Sequence, residues 1–262
     1  MRQTGKIAHT AGRSEMEQTY RKENDILRGV GRRLSPLRDA QAMVEILDDL
    51  KEKCHKDLGT GNLAAIRKAL LDRKKQIKKR FEEKHEADEL VRVLQEVDRR
   101  ITKWPLKKAD PGTISTALAN TIKRGAKASK EARKSGNAQS YHHWRKRAKD
   151  LRYHLALLEN TWKPVMGGFL DSATDLETHL GDDHNLTVFR NLLLKSPKQF
   201  GSRQKLSNLL KVLSDRQQRL RLEDEPLAER IYSDKPGKWE RRIKQYWHAH
   251  RIEKKQEKDK AA

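Results

Sequence analysis

YHHWRKRAKDLRYHLALLEN, residues 141–160, carries two stripes at helical spacing. At about 100° per residue, His142, Arg145, Lys149 and Arg152 (3, 4, 3 apart) fall on one narrow line. Trp144, Ala148, Leu151, Leu155 and Leu158 (4, 3, 4, 3 apart) form a second line about 120° away. The second line is the core face of an amphipathic helix. The first is a row of cations. Asp150 is the only acid between residues 141 and 158, and it points to another side. Like charges at these spacings cost an isolated helix about 0.2–0.5 kcal/mol per pair, and a solvated face usually mixes signs. A rigid helix repeats its charges roughly every 5.4 Å, which suits a polymer of phosphates. Arginine adds forked hydrogen bonds to phosphate oxygens. His142 adds a hydrogen bond, or a charge when protonated.

Other cations gather in similar ways. Lys146 neighbours the stripe. Arg21, Arg28 and Arg32 share a helical face, with Arg33 and Arg38 close by. Lys123, Arg124, Lys127 and Lys130 cluster in TIKRGAKASKEARK. The whole chain of 262 residues has 59 Lys and Arg against 37 Asp and Glu, a formal charge of +22. Such an excess opposes compaction, and a negative partner relieves it. Apolar residues are 35% of the chain, so the core must come from narrow stripes on amphipathic helices.

Helical spacing dominates everywhere, and no alternating run suggests a sheet. The fold class is all-α. A helix is expected over 15–33. Ser35 and Pro36 read as N-cap and first turn of a second helix reaching about residue 56. GTGN at 59–62 reads as a turn, followed by a long charged helical stretch over 63–103 that bends where apolar residues are few. WPLKKADPGT, 104–113, is the internal boundary. It separates a first half, 15–110, from a second, 111–254. Residues 1–14 and 255–262 are expected to be disordered. In the second half, helices are expected over 114–134, 139–161, 166–180, 183–195, 199–222 and 237–254. SGN at 135–137 separates the first two, and Gly181 then Asp182 reads as a stop and a new cap. LSPLRDAQAMVEIL from Leu34 resembles LGDDHNLTVFRNLL from Leu180, each placed at a helix–turn–helix joint.

Signals for catalysis are weak. His179, Asp182, Asp183 and His184 could be grouped as a metal site, but a capped turn with His184 facing an anion is the simpler reading. No GxxxxGK[ST] loop and no nucleophile motif is visible. No cofactor is expected. Cys54 is the single cysteine, so no internal disulfide forms, and a reducing cytoplasm is the expected compartment. No segment reads as a membrane span or as the apolar core of a signal peptide, so no membrane partner is expected.

At these residues the chain resembles the CHAD family, the conserved histidine α-helical domains. The family's pattern H-x-x-R-x-x-x-K-x-x-R-Y stands here as His142, Arg145, Lys149, Arg152 and Tyr153. A second signature resembles LGDDHNLTVFR, 180–190, which holds His184 and Arg190. YRKENDILRGVGRRLSPLRDAQ, 20–41, resembles its first-half counterpart, and IYSDKPGKWERRIKQYW, 231–247, the closing segment. The resemblance spans roughly residues 18–250. It implies two pseudo-symmetric antiparallel four-helix bundles with basic helices lining a central groove. It also implies non-catalytic binding of inorganic polyphosphate and association with polyphosphate granules. The ExExK pattern of the CYTH triphosphatase found fused to some relatives is absent. A first-half helix with its own His/Arg/Lys signature is also missing before Tyr20. Either the start lies upstream or this copy lost a helix, leaving an incomplete first bundle whose bare apolar side favours homodimerisation.

Nucleic acid is the competing polyanion, since phosphate contacts dominate its binding too. Aromatic residues are only 5% of the chain and sit mostly on apolar stripes, which argues against a stacking platform for single strands.

Overall fold

The computed structural model describes residues 2–54, 63–104 and 111–261, with side chains from Glu17 onward except Pro111 and Ala261. The turn expected at 59–62 and the boundary core at 105–110 lie outside the described residues. The fold is all-α, and no strand occurs among the described residues. We label the helices α1 (Arg2–Lys53), α2 (Leu63–Glu83), α3 (Glu86–Ile101), α4 (Pro111–Ser135), α5 (Ala138–Leu158), α6 (Lys163–Lys195), α7 (Ser207–Ile231) and α8 (Pro236–Ala261). None of them is long and apolar enough to cross a membrane. Two compact units result: α1 up to Asp49 with α2 and α3, and the last turn of α1 with α4 to α8.

In the first unit α1 is one helix, straight through Pro36. The expected break at Ser35–Pro36 is therefore corrected. A proline inside a helix costs about 3 kcal/mol, but its ring removes only one hydrogen bond. Continuity keeps Val30, Ala40, Met43 and Leu47 buried. Ser35 caps nothing; its hydroxyl donates to the Asp39 carboxylate at 2.9 Å. Both repeat-like segments, from Leu34 and from Leu180, lie inside continuous helices rather than at joints. The backbone is helical from Arg2 and as far as Ala261, where the sequence reads as disordered ends. Neither end holds a proline to stop the helix, and Lys254–Glu257, 2.8 Å apart, supports the last turns of α8.

α2 and α3 run back along α1 as one kinked rod. Arg67 forks onto Asp48 at 2.7 and 2.9 Å near the start of α2. Arg100 forks onto buried Glu23 at 2.6 and 2.9 Å near the end of α3. The guanidinium of Arg100 holds the Glu23 carboxyl below its usual range. The kink is at His85, a left-handed residue with φ of 49°. Among the described residues this unit is thus a helical hairpin of two rods, short of the four of a complete bundle.

The second unit is built around α5. Gly136, at φ of 64°, ends α4, and its N–H donates to the Ala132 carbonyl at 2.9 Å. Asn137 then caps α5, accepting the Ser140 N–H at 2.8 Å. Trp144, Ala148, Leu151, Leu155 and Leu158 are all buried, as their stripe predicts. They join Leu118 and Ile122 of α4, Met166, Leu176 and Leu180 of α6, and Trp239 and Ile243 of α8 in one core. α6 is unbroken through Gly181 and Asp182, so the expected stop there is also corrected. Its continuity keeps Leu176, Leu180, Leu186, Phe189 and Leu193 buried along its length.

Candidate functional site

The core stripe of α5 fixes the helix's rotation, and that rotation sets the cationic stripe over the seam with α6. The two helices cross antiparallel. The His142 and His184 rings lie 4.5 Å apart, centre to centre. Arg145 passes over Gly181, where a Cβ would stand 3.6 Å from its Nε. Arg152 donates to the Glu177 carboxylate through its Nε. Glu177, Gly181 and His184 are four and three residues apart, so they form one stripe of α6 opposite the stripe of α5.

Arg145 and Lys149 have no acidic partner among the described residues. Both are partly exposed. The Nζ of Lys149 sits 5.7 Å from the centre of the exposed Tyr153 ring, and the Arg152 guanidinium 4.4 Å from it. The Nδ1 of His142 and the Nε of Arg145 are buried without a hydrogen-bond partner. Burial, followed by the nearby His184, Lys146, Arg145 and His143, holds the His142 imidazole down to about 4. At neutral pH it is therefore an uncharged donor or acceptor, and the charge of the stripe is that of Arg145, Lys149 and Arg152, with exposed Lys146 beside them.

A second basic patch lies where α5 meets α4. Lys123, Arg124 and His154 line a cavity of about 500 Å³ with Ala117 and Asn120. Arg124 donates to the Thr121 hydroxyl at 3.2 Å. Arg190 stands apart from the seam, near the far end of α6, beside Arg203 and Lys211.

In the first unit four of the five expected arginines are partnered. Arg21 pairs with Glu17 at 2.5 Å, Arg28 with Asp25 at 3.7 Å and Arg38 with Asp39 at 3.6 Å. Arg33 forks onto Glu89 at 2.8 and 2.6 Å and reaches Glu86 at 3.2 Å, tying α1 to α3. Arg32 is exposed at the rim of a mainly apolar cavity between those helices.

The residues grouped as a metal site face two ways. His184 meets α5, whereas Asp183 accepts from Arg221 of α7 at 2.6 Å and His179 contacts Asp224 at 3.0 Å. Arg221 also donates to the Gly136 carbonyl at 2.8 Å and lies 3.9 Å above the Tyr141 ring. This network ties the α4–α5 turn to α6 and α7. No cluster of three or more metal-type side chains occurs among the described residues. Glu177 and Gly181 are the seam residues that the reading of the sequence misses. Their spacing to His184 signals them only once α6 is taken as a single helix.

Neither the curated proteins nor the solved structures contain a match to this chain. The CHAD domain family matches it over residues 10–194, which holds the α5 stripe and its α6 counterpart. The chain belongs to the CHAD domain family.

Proposed function

We propose that this chain binds inorganic polyphosphate, without catalysis, along the seam of α5 and α6. The observation that carries the reading is the pair Arg145–Lys149, two adjacent cations without acidic partners among the described residues, extended by Arg152 and the two histidines. Successive turns present them at roughly the 5.4 Å helical repeat to a chain of similar charges. CHAD membership supports polyphosphate over other polyanions. Trp144 is buried and Tyr153 is the exposed aromatic ring beside the cations, a single ring where successive bases stack on a row of them. The same binding would gather the protein at polyphosphate granules.

The test is affinity for long-chain polyphosphate and for duplex DNA, at matched phosphate, across a salt series. Polyphosphate is expected to bind at least tenfold more tightly. The logarithm of its affinity should fall with the logarithm of salt, with a slope of roughly 2–4, one ion released for each cation engaged. Equal affinity for DNA would replace this reading with a general polyanion binder. Release of orthophosphate during incubation with magnesium or manganese would end the non-catalytic part.

A further inference from the structure

From His184 to Ser214 the chain has no acidic residue, but it has six lysines and arginines: Arg190, Lys195, Lys198, Arg203, Lys205 and Lys211. The fold brings three of these together. Arg190 of α6, Arg203 of the connection and Lys211 of α7 line one cavity of about 240 Å³, together with Leu194, Ser207 and Leu210. None of the three cations has an ion-pair partner among the described residues. Gathering them in a concavity costs self-repulsion that an anion would relieve. Ser207, which also lines the cavity, opens α7, so the positive end of that helix's dipole lies beside the three charges. Arg203, Ser207 and Lys211 lie beyond the matched residues 10–194.

We infer that this cavity binds the end of a phosphoanhydride chain, whether the terminus of a long polymer or a free short one such as tripolyphosphate. The charge fits such an end. A terminal phosphate, unlike an internal one, ionises a second time with a pKa near ~6, so an end carries more charge than any inner link. Three cations around a short cavity suit an end, whereas the α5 row suits the middle of a chain. The inference draws on the phosphate-polymer reading above for its ligand class, but it uses different residues.

Calorimetric titration with tripolyphosphate separates the two. The wild type is expected to bind it, and Arg203→Ala/Lys211→Ala to lose at least tenfold in affinity with an unchanged melting temperature. Long polyphosphate should displace the bound tripolyphosphate in proportion to its chain ends if polymer termini enter the cavity. It should fail to displace it if only free short chains fit. Tripolyphosphate binding that is untouched by Arg203→Ala/Lys211→Ala, or that follows Arg145→Ala/Lys149→Ala instead, overturns the cavity site. If long chains bind and tripolyphosphate does not, the cavity site alone is lost. If tripolyphosphate binds through Arg203 and Lys211 while long chains do not bind, the cavity stands and the seam reading falls.

Discussion

Arg145→Ala/Lys149→Ala should lower polyphosphate affinity about 100-fold without disturbing the fold. A hydrogen bond to a charged group contributes about 1.5–3 kcal/mol, and tenfold in affinity is about 1.4 kcal/mol. Two such contacts, partly replaced by the neighbouring Lys146 and Arg152, give a loss of this order. Among the described residues neither side chain holds an acid that its removal would strand. Arg152 differs, because its removal leaves the Glu177 carboxylate alone on the seam. The charge balance there predicts the opposite sign for Glu177→Gln, which frees Arg152 and should tighten binding a few-fold. Filter-binding or calorimetry on the two variants checks both signs. A double variant that binds like the wild type would remove the seam from the mechanism.

Trp144→Ala should have the largest effect on stability. The side chain is fully buried at the centre of the α5 stripe, with the Tyr141 ring 5.9 Å away. Truncating a buried Trp costs about 3–5 kcal/mol in lost burial and cavity. For a unit of this size that is roughly 6–20 °C in melting temperature. It is also a large share of the ~5–15 kcal/mol by which domains are stable. Because Trp144 sets the rotation of α5, polyphosphate binding should fall with the fold, whereas the charge variant loses binding alone. Thermal denaturation followed by circular dichroism measures the difference. A shift under about 2 °C would mean that the α5 stripe is not what holds this core together.

Both α5 stripes were legible because each lies within one helix whose period is known. Trp144, Ala148, Leu151, Leu155 and Leu158 are buried, and the cations follow at the stated angle. Glu177 was not legible, because it reaches Arg152 from a different helix, 25 positions along the chain. The row has no acid within α5, yet one end of it is neutralised from α6. Pro36 and the Gly181–Asp182 pair are sound local stop signals. Continuous buried stripes outweigh both. The break at His85 has the opposite character, since neither glycine nor proline marks it. Its neighbourhood is poor in apolar residues, which is the trait that led the sequence to suggest a bend.

The His142–His184 contact would make the proposed binding a proton reaction. In the free protein His142 is held to about 4, against about 6.5 in an unfolded chain, so acidification through that window works against the fold. An anion laid on the seam would face His142 and His184 together with Arg145 and Lys146, and its charge would raise the affinity of the His142 imidazole for protons. Association near pH 6 should therefore take up hydrogen ions, with a heat that varies with the ionisation enthalpy of the buffer. The polymer would then supply the counter-charge that the cationic helix withholds, so a drop in pH should tighten the complex while it loosens the empty protein.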